Sequence, residues 1–170
     1  MTNVARGYAS IGQPDKAFAY LERVKRLQPE APAVRSLEVV LLSRAGQEAK
    51  ALELAKVAIA EKTYDFDLIS AAFVLATRAG DYPLALQAMQ MRLTDYPWSR
   101  PRGYFQLGIL FHTGFKDPDR ALESFKRSVA LAPPAERQEI LSQVPSAYWA
   151  ALGYTPSVPA QGTQTSASNK

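Results

Sequence analysis

Apolar residues along this chain recur at helical spacing, and no run of alternating Val, Ile or Thr is bounded by a hairpin turn such as Asn-Gly. The pattern predicts an almost all-helical chain with helices over 2–11, 14–28, 32–45, 48–61, 66–79, 82–95, 101–113 and 118–131. Helix starts are legible at Asp117 before Pro118 and at Asp81 shortly before Pro83, because Asp caps free amides and Pro is favoured in a first turn.

Two sets of small residues keep a period. Ala17, Ala51, Ala85 and Ala121 are separated by 34, 34 and 36 residues, while Gly12, Gly46, Gly80 and Gly114 are each 34 apart. Alanine lets two helix axes approach, and glycine permits the left-handed backbone that closes a helix. The two-residue surplus of the last repeat falls between Gly114 and Ala121, predicting a longer turn there. Pro29, Pro97 and Pro133 each follow the crossing alanine by 12 residues and end a helix pair, whereas the second repeat has Thr63 instead.

Within 102–133, Tyr104, Leu107, Gly108, Phe111, Ala121, Phe125 and Pro133 stand where the tetratricopeptide pattern puts its aromatic, Leu-Gly pair, second aromatic, alanine, phenylalanine and proline. The chain resembles the tetratricopeptide repeat family. That resemblance implies an all-α, right-handed superhelical stack of about four antiparallel helix pairs, with a concave groove that usually binds another protein. The repeats are expected at about 1–30, 31–64, 65–98 and 99–134, followed by a cap at 135–153 that brings Tyr148, Trp149 and Leu152 to the open end of the stack. From 154 to 170 the composition turns to Pro, Ser, Gln, Thr and Gly, which predicts a disordered tail.

By repeat phase, the groove positions are Asn3, Arg6, Ser36, Val40, Arg44, Ser70, Val74, Arg78, Arg102, Phe105, Ile109 and His112. Arg6, Arg44, Arg78 and Arg102 offer guanidinium forks to an acidic or C-terminal segment, or are solvated surface charges. The terminal-carboxylate clamp of chaperone-binding members is absent: its places, counted from the first repeat, hold Thr2, Arg6, Leu37, Asp67 and Ala71. The linker carrying Trp98 and Arg100 is a candidate hot spot, since Trp beside Arg is common where proteins bind. Its alternative is burial of Trp98 between the third and fourth helix pairs.

Composition narrows the chemistry. With 47% hydrophobic and 21% charged residues and no cysteine, the chain has no disulfide, thiolate metal site or cysteine nucleophile. Its one histidine, His112, has neither a second ligand for a metal nor a nucleophile to activate. No phosphate-binding glycine loop occurs, and the carboxylate pairs Asp65/Asp67 and Asp117/Asp119 sit at helix starts as caps. The expectation is a non-enzyme without cofactor.

The net charge of +4 is spread along the chain, and the basic groups around Arg23 and Lys126 are diluted by Glu22 and Glu123, so a protein or peptide of acidic character is expected rather than nucleic acid. No segment reaches the ~18 apolar residues of a spanning helix, and no signal peptide is visible. As written the chain reads as cytoplasmic, or as periplasmic if it is a fragment. The resemblance alone implies the alternative function, a soluble, structural portion of a larger bacterial envelope protein engaged in glycan assembly or secretion.

Overall fold

Eight of the helices pair antiparallel in chain order, as a computed structural model describing residues 2–29 and 31–156, with side chains from Val4 onward, shows. The pairs are α1 (Thr2–Ser10) with α2 (Pro14–Leu27), α3 (Pro32–Arg44) with α4 (Glu48–Ala60), α5 (Phe66–Ala79) with α6 (Tyr82–Asp95), and α7 (Arg100–Leu110) with α8 (Pro118–Leu131). A ninth helix, α9 (Pro134–Gln143), and two short 3-10 turns over Ser146–Tyr148 and Ala150–Leu152 close the stack. No strand occurs among the described residues. Most of the expected tail, 157–170, lies outside them.

The packing follows from the small residues. Ala17, Ala51, Ala85 and Ala121 are all fully buried at the crossings within pairs. In the last pair glycine also takes part: a methyl group on Gly108 would sit 2.5 Å from the Phe125 ring. That fit explains why the Leu107-Gly108 step faces a phenylalanine. Apolar stripes then bury against neighbours, with Leu68, Ile69, Ala72 and Ala76 of α5 joining Ala85, Ala88 and Met89 of α6 in the larger core. A smaller core gathers Ala5, Leu21, Val24, Val34, Leu37 and Leu41 around α1, α2 and one face of α3.

Three of the four turn glycines take the left-handed backbone expected of them: Gly12, Gly46 and Gly80 have φ of 72°, 74° and 75°. Gly114 does not. The two extra residues of the last repeat are absorbed by a π-helical turn over Phe111–Phe115 that prolongs α7, and Lys116 (φ 55°) takes the left-handed closing position. Gly114 is instead fixed by packing, because a Cβ there would meet Tyr82 at 2.9 Å. The expected longer inter-helix turn is thus mainly a wider helical turn. In the second repeat, where proline is missing, Lys62 (φ 56°) reverses the chain after α4 and the Thr63 amide donates back to the Ala58 carbonyl at 2.8 Å.

Helix starts use the caps visible in the sequence. Asp65, Asp81 and Asp117 accept hydrogen bonds from the amides of Leu68, Leu84 and Arg120 respectively. Asp117 also accepts from Arg120 Nε at 2.7 Å, and these Arg120 contacts, the side-chain bond first, hold its carboxyl below the ordinary carboxylate range.

Two outcomes are expected in urea unfolding. Gly108→Ala should lose about 1–3 kcal/mol from the clash with Phe125, whereas Gly7→Ala, whose added methyl meets nothing within 4 Å, should gain roughly 0.5–1 kcal/mol of helix propensity. The depressed Asp117 carboxyl contributes stability that is complete above its unfolded value and is lost as pH falls through its lower folded value. Asp117→Asn should therefore flatten the acid limb of a stability-against-pH curve below about pH 4.

Candidate peptide-binding groove

Helix α3 touches both α1 and α5, so these three first helices form a continuous wall, while α7, paired with α8, meets the preceding pair chiefly through α6. On the wall a depression of about 250 Å³ is lined by Arg6, Ala9, Ser10, Val40, Leu41, Arg44, Asp67 and Ser70. Four sequence-chosen positions, Arg6, Val40, Arg44 and Ser70, meet there.

The floor is a polar network across the repeats. Arg6 Nη1 lies 2.8 Å from Asp67 Oδ2, and Arg6 Nη2 lies 3.3 Å from Asp65 Oδ2. Ser36, fully buried, donates to Asp65 Oδ1 at 2.5 Å. Asp65 therefore caps α5, accepts from α3 and pairs with α1 at once. Sequence reasoning saw its capping role and missed the others, which depend on which helix end lies across the groove. Two polar atoms in the depression, Arg6 Nε and Ser70 Oγ, are shut off from solvent and have no hydrogen-bond partner among the described residues.

The arginines divide sharply. Arg6 is committed to the two aspartates. Arg44 is exposed and makes no ion pair or hydrogen bond among the described residues. Arg78 occupies the same repeat position as Arg44 but is drawn away to Glu48 Oε1 at 2.5 Å, on a separate cleft between α4 and α5. The corresponding place for Arg44 is Pro14, which has no charge to offer. Val74 stays exposed on α5. The side chain of Asn3 lies outside the described residues.

On α7 the chosen positions do not extend this wall. Arg102 Nη2 bonds Glu139 of α9 at 2.6 Å, and His112 Nδ1 lies 2.9 Å from the Tyr148 hydroxyl. Phe105 stacks near Phe125 and Ile109 packs against the larger core. Tyr148 is itself buried against Phe125, and burial, with help from Asp117 and Asp119, raises its hydroxyl above the ordinary tyrosine value. Arg102 and His112 are thus held by the C-terminal cap, and Phe105 and Ile109 by the core. In the linker, Arg100 Nε donates to the Leu93 carbonyl at 3.0 Å and so finishes α6. Trp98 is not buried between pairs: it is 70% exposed, with one face on Phe66 at 4.5 Å between centroids.

No family model matches the chain, and no curated protein matches it. Its fold is similar to that of MamA 41-end from Desulfovibrio magneticus RS-1, with a TM-score of 0.67 and 19% identity over 82% of this chain and 76% of that one. The MamA RS-1 ArsTM double mutant gives the same score and coverage at 18% identity. MamA is built of tetratricopeptide repeats. The fold is a tetratricopeptide-type solenoid. At such low identity the likeness speaks for architecture alone. Among the described residues no helix is long and apolar enough to cross a membrane, and no cluster of His, Asp and Glu could hold a metal ion.

The Arg6 network spans α1 to α5 in a half-exposed setting, with Arg6 33% and Asp67 44% accessible. Arg6→Met should cost about 1 kcal/mol, and a double-mutant cycle with Asp67→Asn should show positive coupling of several tenths of a kcal/mol. Urea unfolding of the four proteins measures both.

Proposed function

We propose that the chain is a non-catalytic scaffold that binds an acidic peptide or protein segment along the wall formed by α1, α3 and α5. The observation that carries the reading is the depression itself, which places one exposed, unpaired guanidinium, Arg44, beside the apolar surface of Ala9, Val40 and Leu41. Below it, Arg6 Nε and Ser70 Oγ are buried without a hydrogen-bond partner among the described residues. A peptide laid there matches the two surface features: a carboxylate for the Arg44 fork and an apolar side chain against Val40. The solenoid supports the same reading, because a rigid curved wall suits an extended ligand.

The chemistry of the wall is recognition rather than turnover. Its acids are committed to Arg6 and to capping, and its one hydroxyl network, Ser36 with Asp65, is buried beneath an arginine instead of facing the depression. Among the described residues of the wall, no base stands beside an accessible nucleophile.

Peptides selected from an acidic display library against the whole chain should lose at least about tenfold in affinity, roughly 1.4 kcal/mol, on Arg44→Glu. The same peptides should bind Arg78→Gln unchanged, since Arg78 is turned to Glu48 on another cleft. Equal loss on both variants, or none on Arg44→Glu, removes the groove as the binding surface.

A further inference from the structure

A second feature lies away from the groove. Arg92 of α6 is only 8% exposed, yet no carboxylate pairs with it among the described residues. Its Nη1 donates to Gln106 Oε1 at 2.8 Å, its Nε reaches Ser99 Oγ at 3.4 Å, and its guanidinium carbon lies 4.9 Å from the centre of the Phe66 ring. All these partners are neutral. Burying a guanidinium this far without an anion is costly, and desolvation alone lowers its proton affinity.

Arg92 also borders an open cleft of about 250 Å³ together with Trp98, Ser99, Pro101, Arg102, Pro133 and Glu136. Arg102 is already neutralised by Glu139, and Glu136 makes no ion pair with either arginine. Trp98 projects at the mouth, its indole steadied on Phe66 and edge-on to Tyr96. Large exposed aromatics held rigid by their neighbours are typical anchors for a partner. A nearly buried cation without an anionic partner among the described residues and an exposed apolar plate meet along one cleft.

We infer that this cleft between the third and fourth helix pairs is a second docking site, which takes a protein carboxylate onto Arg92 with an adjoining apolar side chain laid on Trp98. The carboxylate is an Asp or Glu of a partner protein. A fork of planar donors favours it over a single-point acceptor, and a neighbouring leucine or aromatic residue then covers the indole. The site is independent of the α1–α3–α5 wall.

The test is a titration of the whole chain, labelled with 15N at arginine and tryptophan, with the blocked peptide acetyl-Leu-Glu-Leu-amide. The acetyl-Leu-Gln-Leu-amide peptide and inorganic phosphate serve as separate arms. The expected result is saturable movement of the Arg92 Nε–H and Trp98 indole signals with the Glu peptide, and at least tenfold weaker binding of the Gln peptide. Arg92→Lys should weaken the Glu peptide by more than tenfold. Trp98→Ala, at a position 70% exposed, should weaken it severalfold, so the inference stays testable should Arg92→Lys unfold. Arg44→Glu should leave the titration unchanged. Equal response to Glu and Gln peptides, or response to phosphate without response to the Glu peptide, overturns the inference. Loss of the response on Arg44→Glu overturns it too, while leaving the groove reading intact.

Discussion

Close approach of helices at small residues is the constraint from which the rest of this structure follows. Where Ala17, Ala51, Ala85 and Ala121 sit with no exposed surface, the two helices of each pair can bury their apolar stripes, and the pairs can then stack. Gly108 takes part in the last pair, because the Phe125 ring occupies the space a side chain would need. A stack built this way must place first helices side by side, and α1, α3 and α5 so arranged create the wall on which Arg44 stands.

Much of the fold was legible because each marker had a single local cause. Asp before a helical run capped it, proline ended it, and alanine recurred at the repeat length. Gly114 was misread for an instructive reason. Spacing identifies a glycine without saying whether backbone angle or packing requires it, and here the need is room for Tyr82 while Lys116 turns the chain. The 36-residue spacing was visible, but a π-turn and a longer loop use the same two residues.

The site was less legible because charge partners come from elsewhere in the stack. Arg44 and Arg78 are equivalent by phase, and what separates them is Glu48 against Pro14 at the matching place. Arg102 and His112 looked like groove residues until Glu139 and Tyr148 of the cap took them. Trp98 followed its composition poorly, since the short turn at Pro97–Ser99 leaves the indole outside. Arg92 was overlooked although a signal existed. It falls in the stripe of Ala85, Ala88, Met89 and Leu93, where a charged residue is out of place.

The division of the interior into two cores has one more consequence, centred on α3. Its Val34, Leu37 and Leu41 belong to the smaller core and its Val39 to the larger, so one helix is the seam between a two-helix end and the remainder of the stack. An end unit held by so few large side chains opens more readily than the middle of the array. The depression needs α1 from that end unit and α5 from beyond the seam, so it exists only while the seam is closed. On the proposed reading, a ligand seated there would act as a clasp: its binding energy would add to the cohesion of the first pair, and slowed amide exchange in α1 and α2 would measure occupancy.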